Sequence, residues 1–212
     1  MPAMYCPAAF TEDRLDVQHA LMLAHPLATL VVGDGAGITA DLVPFLLYPG
    51  DGSRGTLRAH VARANPLWRA LRDGASCLAV FQGPQAYVSP GWYASKAQHH
   101  KVVPTWNYAA VQVRGVVRIV EEAAWLRRQL TDLTATQEGG LPQPWAVADA
   151  PPAFVDALLP AIVGIELVID TIEGKWKVSQ NRGAADRAGV VAGLAARGED
   201  AMAQLVRGVG AD

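Results

Sequence analysis

An unusual run of aromatic side chains lies between positions 81 and 108. Proline and glycine residues separate its six rings, which follow neither a helix period nor a sustained strand alternation; they are Phe81, Tyr87, Trp92, Tyr93, Trp106 and Tyr108. Aromatic side chains spaced by turn residues are typical of the wall of a binding site rather than of one core layer. Because ring faces stack on one another, the run predicts a site for a flat, conjugated ligand.

A histidine and two arginines precede a predicted helix N-terminus. A predicted strand delivers His60 and Arg63 to the helix that Asn65 caps and Pro66 begins. Arg58 alternates onto the same strand face as His60. Free backbone N–H groups at a helix start favour an anion, and a guanidinium fork fits phosphate oxygens. The segment predicts a phosphate site, with an exposed arginine beside an ordinary capped helix as the alternative.

A second polar concentration lies near the C-terminus. Lys175 and Lys177 are two of only four lysines, and strand alternation places them on one face with Trp176 on the other. The amide and guanidinium donors that follow suit the carbonyls and ring nitrogens of a heterocycle; they belong to Gln180, Asn181 and Arg182. The alternative is a solvated, charged strand end.

Other motifs carry less chemistry. The glycines of segment 33–37 alternate as in a dinucleotide-binding loop, but they open a strand rather than a helix, which predicts a hairpin turn. The adjacent His99 and His100 have no carboxylate or cysteine at ligand spacing, so we interpret them as exposed loop residues. Nucleophile-elbow, zinc-protease and phosphate-loop motifs are missing from the sequence, which disfavours a hydrolase, and no catalytic residue is assigned.

The elements that position these residues are mostly strands. We predict a helix over 11–25 that Thr11 caps, a second helix from Pro66, and further helices over 121–138 and 186–206. Predicted strands cover 27–32, 38–47, 56–61, 76–82, 107–120, 162–171 and 175–178, the last two joined at Glu173 and Gly174. Pro44 implies an edge or a bulge. The hairpin-like strand order predicts a β-rich α+β fold, an antiparallel barrel with inserted and C-terminal helices.

Composition limits the possible partners and compartments. The 212 residues fit a single domain over 1–212, in which 183–212 form a C-terminal helical extension. A net charge of −2 gives no global field that would favour nucleic acid or an anionic membrane. Cys6 and Cys77 are expected to be reduced thiols. Without a signal-peptide pattern or an apolar run long enough to span a bilayer, a cytoplasmic location is expected.

Together these blocks resemble the PaiB-type family of FMN-binding negative transcriptional regulators. The matching segments are 25–30 (HPLATL), 42–46 (LVPFL), 60–66 (HVARANP), 81–84 (FQGP), 87–90 (YVSP), 92–93 (WY), 103–108 (VPTWNY) and 174–182 (GKWKVSQNR). The aromatic block and the last segment are the specific ones, and the likeness extends from Tyr5 to about Val206.

The resemblance implies a split β-barrel like that of the pyridoxamine-phosphate oxidases and flavin reductases, and a homodimer with FMN at the subunit interface. His60 and Arg63 would hold the phosphate, and the segment 39–44 would run beside the ring system. The last segment would arrive from the second subunit. The implied cofactor-binding residues are Thr39, Ala40, Asp41, Val43, Pro44, Arg58, His60, Arg63, Asn65, Trp106, Asn107, Tyr108, Lys175, Lys177, Gln180, Asn181 and Arg182.

Three functions stay open at this point. The family implies a transcriptional regulator, but the acidic balance and the lack of a basic recognition helix give DNA weak support. The best surface for DNA combines a basic run with arginines of the tail: Arg58, Arg63, Arg69, Arg72, Arg182, Arg187, Arg197 and Arg207. The alternative is a flavin-dependent oxidoreductase similar to the flavin reductases. A flavin or haem carrier without turnover is the third possibility.

Overall fold

The computed structural model describes residues 3–34, 37–72 and 74–209. The strands are β1 (Thr11–Glu12), β2 (Leu27–Asp34), β3 (Gly37–Pro44), β4 (Leu46–Tyr48), β5 (Thr56–Ala62), β6 (Ser76–Val88), β7 (Thr105–Val120) and β8 (Ile162–Lys177). The α-helices are α1 (Leu15–Ala24), α2 (Leu67–Arg72), α3 (Lys96–His99), α4 (Ala123–Glu138), α5 (Pro152–Leu158), α6 (Ala184–Ala195) and α7 (Asp200–Arg207). Within these ranges, no helix combines the length and the apolar character needed to cross a membrane.

The strands form one sheet in the order β3-β2-β6-β7-β8-β5-β4, and β1 pairs with β8. The β2–β3 and β5–β8 pairs are antiparallel, with Leu27 opposite Pro44 and His60 opposite Gly164. β3 lies at the end of this strand order, and an edge strand tolerates a proline, which has no N–H to donate. The edge position predicted for Pro44 is confirmed.

The chain divides into two compact units, and β6, β7 and β8 run through both. The first unit comprises the chain up to Leu21, Gln82–Val111 and the chain from Glu173; the second comprises Met22–Phe81 and Gln112–Ile172. The prediction of a single domain stays a prediction. The described residues of the predicted helical extension, 183–209, contain α6 and α7.

The second unit has a core of aliphatic strand residues. Leu30, Leu57, Phe81, Ile165 and Leu167 are fully buried, and the Phe81 ring packs against Phe45 at 6.2 Å between centroids. Alternate residues of β5 are buried, so its remaining side chains Arg58 and His60 project from the opposite face. In the first unit, α6 and α7 contribute to an apolar cluster whose members include Val88, Tyr93, Val178, Val190, Leu194, Met202 and Val206.

The helix predicted over 11–25 begins later, and its capping by Thr11 was wrong. Thr11 lies in β1 opposite Lys175, and α1 starts at Leu15. The Glu12 carboxylate instead accepts hydrogen bonds from the Arg14 backbone N–H at 3.0 Å and from Arg14 Nε at 2.9 Å. Because the Thr11 backbone is committed to the sheet, the acidic side chain after it stabilises the turn into the helix.

The two strands predicted over 162–171 and 175–178 are one continuous strand, β8. Gly174, taken as part of a turn, lies opposite Glu12. A Cβ at Gly174 would stand 2.5 Å from the backbone oxygen of Glu12, so glycine is required for the close approach of β1. The helix predicted over 186–206 is divided into α6 and α7. β2 reaches Asp34 and β3 begins at Gly37, and the turn predicted between them lies outside the described residues.

The two cysteines should differ in reactivity. Burial raises the pKa of the Cys77 thiol to about 11, whereas the Cys6 side chain is partly accessible. Because the thiolate is the reacting species, we expect iodoacetamide at neutral pH to modify Cys6 and to spare Cys77 in the folded protein. Intact-mass analysis should show one adduct on the native chain and two after denaturation. Modification of Cys77 under native conditions would contradict this expectation.

Candidate functional site

The polar end of β8 and the start of β7 line a cavity in the first unit. The cavity has a volume of about 110 Å³. Its lining includes four of the predicted cofactor-binding residues, Asn107, Lys177, Asn181 and Arg182, and five other residues, Tyr93, Val103, Pro104, Thr105 and Ser179. The segments 103–108 and 174–182, which carry part of the family resemblance, therefore meet at one cavity.

A tight turn after β8 forms part of this cavity. Ser179 adopts a left-handed backbone conformation with φ of 67°, which is uncommon for a residue other than glycine. The Asn107 amide donates to the Ser179 hydroxyl at 2.9 Å. Gln180 bonds to the backbone on both sides, since its Oε1 accepts from Val178 N at 2.8 Å and its Nε2 donates to the Trp176 carbonyl. Gln180 thus stabilises the turn that presents Asn181 and Arg182 to the cavity.

Three cations surround the cavity end of β8. Lys175 is buried, donates to the Tyr5 carbonyl at 2.8 Å and lies over the Tyr108 ring at 5.5 Å. The Lys177 ammonium donates to the Trp106 carbonyl at 2.5 Å. Burial lowers the pKa of Lys177, and the nearby charges of Lys175 and Arg182 lower it further. This electrostatic strain would be relieved by a bound anion.

Two buried polar atoms at the cavity have no hydrogen-bond partner among the described residues. They are the Tyr93 hydroxyl and Asn107 Oδ1, on side chains that are 3% and 1% exposed. A buried polar atom without a partner costs about 1–3 kcal/mol. A flavin ring system offers an N–H donor, carbonyl oxygens and ring nitrogens, which match an unpaired amide oxygen and a phenol. The residues at this cavity therefore fit the polar edge of FMN.

The aromatic run does not form one wall. Phe81 lies in the core of the second unit, and Trp92 and Tyr93 belong to the apolar cluster of the first. Trp106 is half-exposed, donates through Nε1 to Gln85 Oε1 at 2.5 Å and meets the Tyr87 ring edge-on at 6.0 Å. Trp106 and Tyr87 are the exposed ring pair of the run.

The residues predicted on β3 lie in the second unit. Thr39, Ala40 and Pro44 are exposed, and Val43 is buried. Asp41 Oδ1 accepts a hydrogen bond of 3.3 Å from the Asn65 amide. Asn65 also caps α2 as predicted, since its Oδ1 accepts from the Leu67 N–H at 2.9 Å. A side-chain hydrogen bond between Asp41 and Asn65 thus joins the edge strand β3 to the turn before α2.

The basic residues of β5, and Arg63 directly after it, already have protein partners. Arg58 Nε donates to Glu166 at 2.8 Å, and His60 Nδ1 lies 2.8 Å from Gln129 Oε1. Arg63 donates to the Pro160 carbonyl at 2.6 Å and pairs with Glu121 at 2.5 Å. The phosphate-binding role inferred for His60 and Arg63 stays a prediction, and a ligand there would compete with these partners.

Sequence reasoning missed several residues at both places. Tyr93 was noted only as one ring of the aromatic run, and Ser179 and Thr105 were not singled out. Glu121, Gln129 and Glu166 are distant in sequence from Arg63, His60 and Arg58, the residues that they contact. The signal for Ser179 was its place inside the polar segment after β8; no local signal pointed to the others.

The comparisons with known proteins identify the family of this chain. Residues 4–171 match the family model described as "Putative FMN-binding domain". Uncharacterized protein AN0679 of Emericella nidulans is 34% identical, with 96% of each chain covered. Protease synthase and sporulation protein PAI 2 of Bacillus subtilis is 33% identical over 64% of this chain and 62% of its own. The predicted family and cofactor, PaiB-like and FMN, are confirmed at the level of the family.

Among solved structures, the flavocytochrome Anf3 of Azotobacter vinelandii is similar with a TM-score of 0.57. It shares 16% sequence identity, and the match covers 84% of this chain and 75% of that one. At this identity the likeness concerns the fold alone. The antiparallel split-barrel fold predicted from the strand order and the resemblance is confirmed.

Proposed function

The chain belongs to this family of FMN-binding domains, and on that premise we propose that it is a flavin-dependent negative regulator of transcription that works as a homodimer in the cytoplasm. Two FMN molecules, one per chain, would lie at the subunit interface. FMN supplies one- and two-electron redox chemistry when it is bound, so the redox state of the flavin is the signal that such a regulator would sense.

The observation that carries the flavin site is a pair of buried atoms, the Tyr93 hydroxyl and Asn107 Oδ1, that have no hydrogen-bond partner in the described part of the chain and line the same cavity as Lys177. In this proposal the first unit binds the ring edge through Trp106, Asn107, Tyr108, Lys175, Lys177, Gln180, Asn181 and Arg182. The other cofactor-binding residues of the proposal are those implied by the resemblance: Thr39, Ala40, Asp41, Val43, Pro44, Arg58, His60, Arg63 and Asn65. A homodimer allows the two sets to come from different subunits.

The regulatory part of the proposal is supported by the name of the Bacillus relative, which refers to protease synthase and sporulation. Contacts within the chain reduce the surface for direct DNA binding. Arg58 pairs with Glu166, and Arg63 and Arg72 share Glu121. Binding to DNA would therefore depend on Arg69 and on the arginines of the tail, and it should weaken steeply with salt.

The visible absorption spectrum of the purified protein tests the proposal first. FMN is added, unbound flavin is removed by desalting, and the retained flavin is counted after denaturation. We expect one FMN per chain and a dimer by light scattering. A protein that retains no flavin would refute the cofactor. A flavin-loaded protein that binds no fragment of its own upstream DNA at low salt would refute direct repression alone.

Tyr93→Phe should separate a ligand-binding role from a structural one. Because the hydroxyl is buried without a partner, its removal should leave the flavin-free protein equally stable or more stable. The same change should weaken FMN binding about fivefold, the loss of one hydrogen bond of about 1 kcal/mol. Thermal unfolding and flavin-fluorescence titration measure the two effects. A variant that loses stability and keeps its FMN affinity would contradict the assignment.

A flavin-dependent oxidoreductase is the second candidate, and the lowered pKa of Lys177 at the cavity favours it. An ammonium that releases its proton more readily than usual is suited to proton transfer beside a redox cofactor. Stopped-flow reduction of the flavin-loaded protein by NADH or NADPH distinguishes the two functions. Reduction no faster than that of free FMN would exclude turnover with these donors.

A further inference from the structure

A second polar cavity, of about 340 Å³, lies in the second unit beneath α4. Three guanidinium groups and two carboxylates line it, from Arg58, Arg118, Arg128, Asp132 and Glu166. Gln129, Trp125 and Tyr48 complete the lining. A third carboxylate, that of Asp51, pairs with Arg58 Nη2 at 2.9 Å, so the three guanidinium groups are matched in number by carboxylates.

Both carboxylates have internal partners. Arg58 Nε donates to Glu166 Oε2 at 2.8 Å, and Arg118 Nε donates to Oε1 at 3.0 Å. Burial opposes ionisation of Glu166, but the bonds from Arg118 and Arg58 outweigh burial and keep its pKa below the ordinary value. The Tyr48 hydroxyl donates to Asp132 Oδ2 at 2.6 Å. Glu166 and Asp51 together therefore neutralise Arg58 and Arg118.

Two donors of α4 remain without acceptors among the described residues. Gln129 is 1% exposed, its Oε1 faces His60 Nδ1 at 2.8 Å, and its Nε2 has no partner. Arg128 is exposed at the same cavity and forms no ion pair within the described ranges, whereas its neighbour Arg127 pairs with Asp156. A buried amide N–H group and a guanidinium that line the same cavity are donors suited to a single oxyanion.

We propose that this cavity is a binding site for a small oxyanion, a phosphate or a carboxylate, distinct from the cavity at the end of β8. Arg128 would hold the charge and Gln129 Nε2 would donate to one oxygen. Glu166 and its two arginines form the polar wall that fixes the orientation. The proposal does not require that the chain binds FMN, although Arg58 and His60 are shared with the residues that the resemblance assigns to that cofactor.

Calorimetric titration with inorganic phosphate and with acetate, each at an ionic strength matched by sodium chloride, tests the site and distinguishes the two chemistries. We expect one site per chain for at least one of the two ions. Arg128→Gln and Gln129→Leu should each weaken that ion about tenfold, the loss of one hydrogen bond to a charged group. Arg127→Gln is the matched control on the adjacent position of α4 and should leave the affinity unchanged.

The alternatives give different results. Equal heats from chloride alone, or equal affinities in Arg127→Gln and Arg128→Gln, would overturn the site. Flavin retention is measured on the same variants: Arg128→Gln should retain FMN as the unchanged protein does. If Arg128→Gln loses FMN and phosphate together, the cavity belongs to the flavin phosphate and the claim of a separate site is wrong. If neither the unchanged protein nor any variant binds FMN, but phosphate binding is retained, the proposed function is refuted and this oxyanion site still stands.

Discussion

Gly115→Ala should lower the free energy of unfolding by about 3 kcal/mol, the upper range for overpacking a closely packed interior. Gly115 lies in β7 within the second unit, where the strand passes β8. A Cβ at this position would stand 1.8 Å from the backbone oxygen of Val168 and 2.8 Å from its carbonyl carbon. A side chain could rotate away from such a contact, but backbone atoms cannot, so the strands must separate.

Thermal unfolding measures this effect. For a chain of this length, about 3 kcal/mol corresponds to a Tm decrease of about 6–12 °C. Gly50→Ala is the control, because a Cβ there meets no atom within 4 Å. It should be neutral or slightly stabilising, since alanine restricts the unfolded chain. An unchanged Tm for Gly115→Ala would mean that β7 and β8 lie farther apart at this point than the structure places them.

The strands were predictable from the sequence where a local pattern was enough. Alternating residues identified β5, and Asn65 with Pro66 identified the start of α2. The continuity of β8 was not predictable, because a glycine beside an acidic residue indicates a turn when it is considered locally. The requirement at Gly174 comes from β1, which is more than 160 residues distant in the chain. Non-local pairing of this kind leaves no trace in a window of neighbouring residues.

The site was predictable by residue type but not by contact. The segment after β8 does reach the cavity, as its polar composition indicated. The roles within it differ: Gln180 bonds to the turn itself, and Asn107 supplies the unpaired atom. The partner of Arg63 could not be predicted from its neighbours in sequence, because a guanidinium before a helix start suits a phosphate as well as it suits the carboxylate of Glu121. Only the fold determines which acid lies near.

Lys177→Met should weaken FMN binding about 10- to 100-fold, the loss of one charge-assisted contact of about 1.5–3 kcal/mol. The variant keeps an unbranched side chain of similar length, so it should fold. The lowered pKa of Lys177 means that the protonated form of its amine is less favoured in the folded protein than in an ordinary lysine. The flavin-free variant should therefore be no less stable than the unchanged protein. Lys101→Met, at an exposed loop lysine of the same unit, is the control and should bind FMN normally.

The pH dependence gives a readout that a structural role would not change. Burial, with Lys175 and Arg182 nearby, lowers the pKa of Lys177 below 10.5, so its charge is lost earlier than that of an ordinary lysine as the pH rises. FMN carries a phosphate that is fully ionised above about pH 7. Its affinity should therefore decrease as the pH is raised from neutrality toward 10.5, with one proton taken up by Lys177 on binding.

In Lys177→Arg the guanidinium stays charged throughout this window, and the affinity should stay level. Fluorescence titrations at successive pH values measure both curves; the same decrease in Lys177→Arg would assign the titrating group to another residue or to the flavin ring.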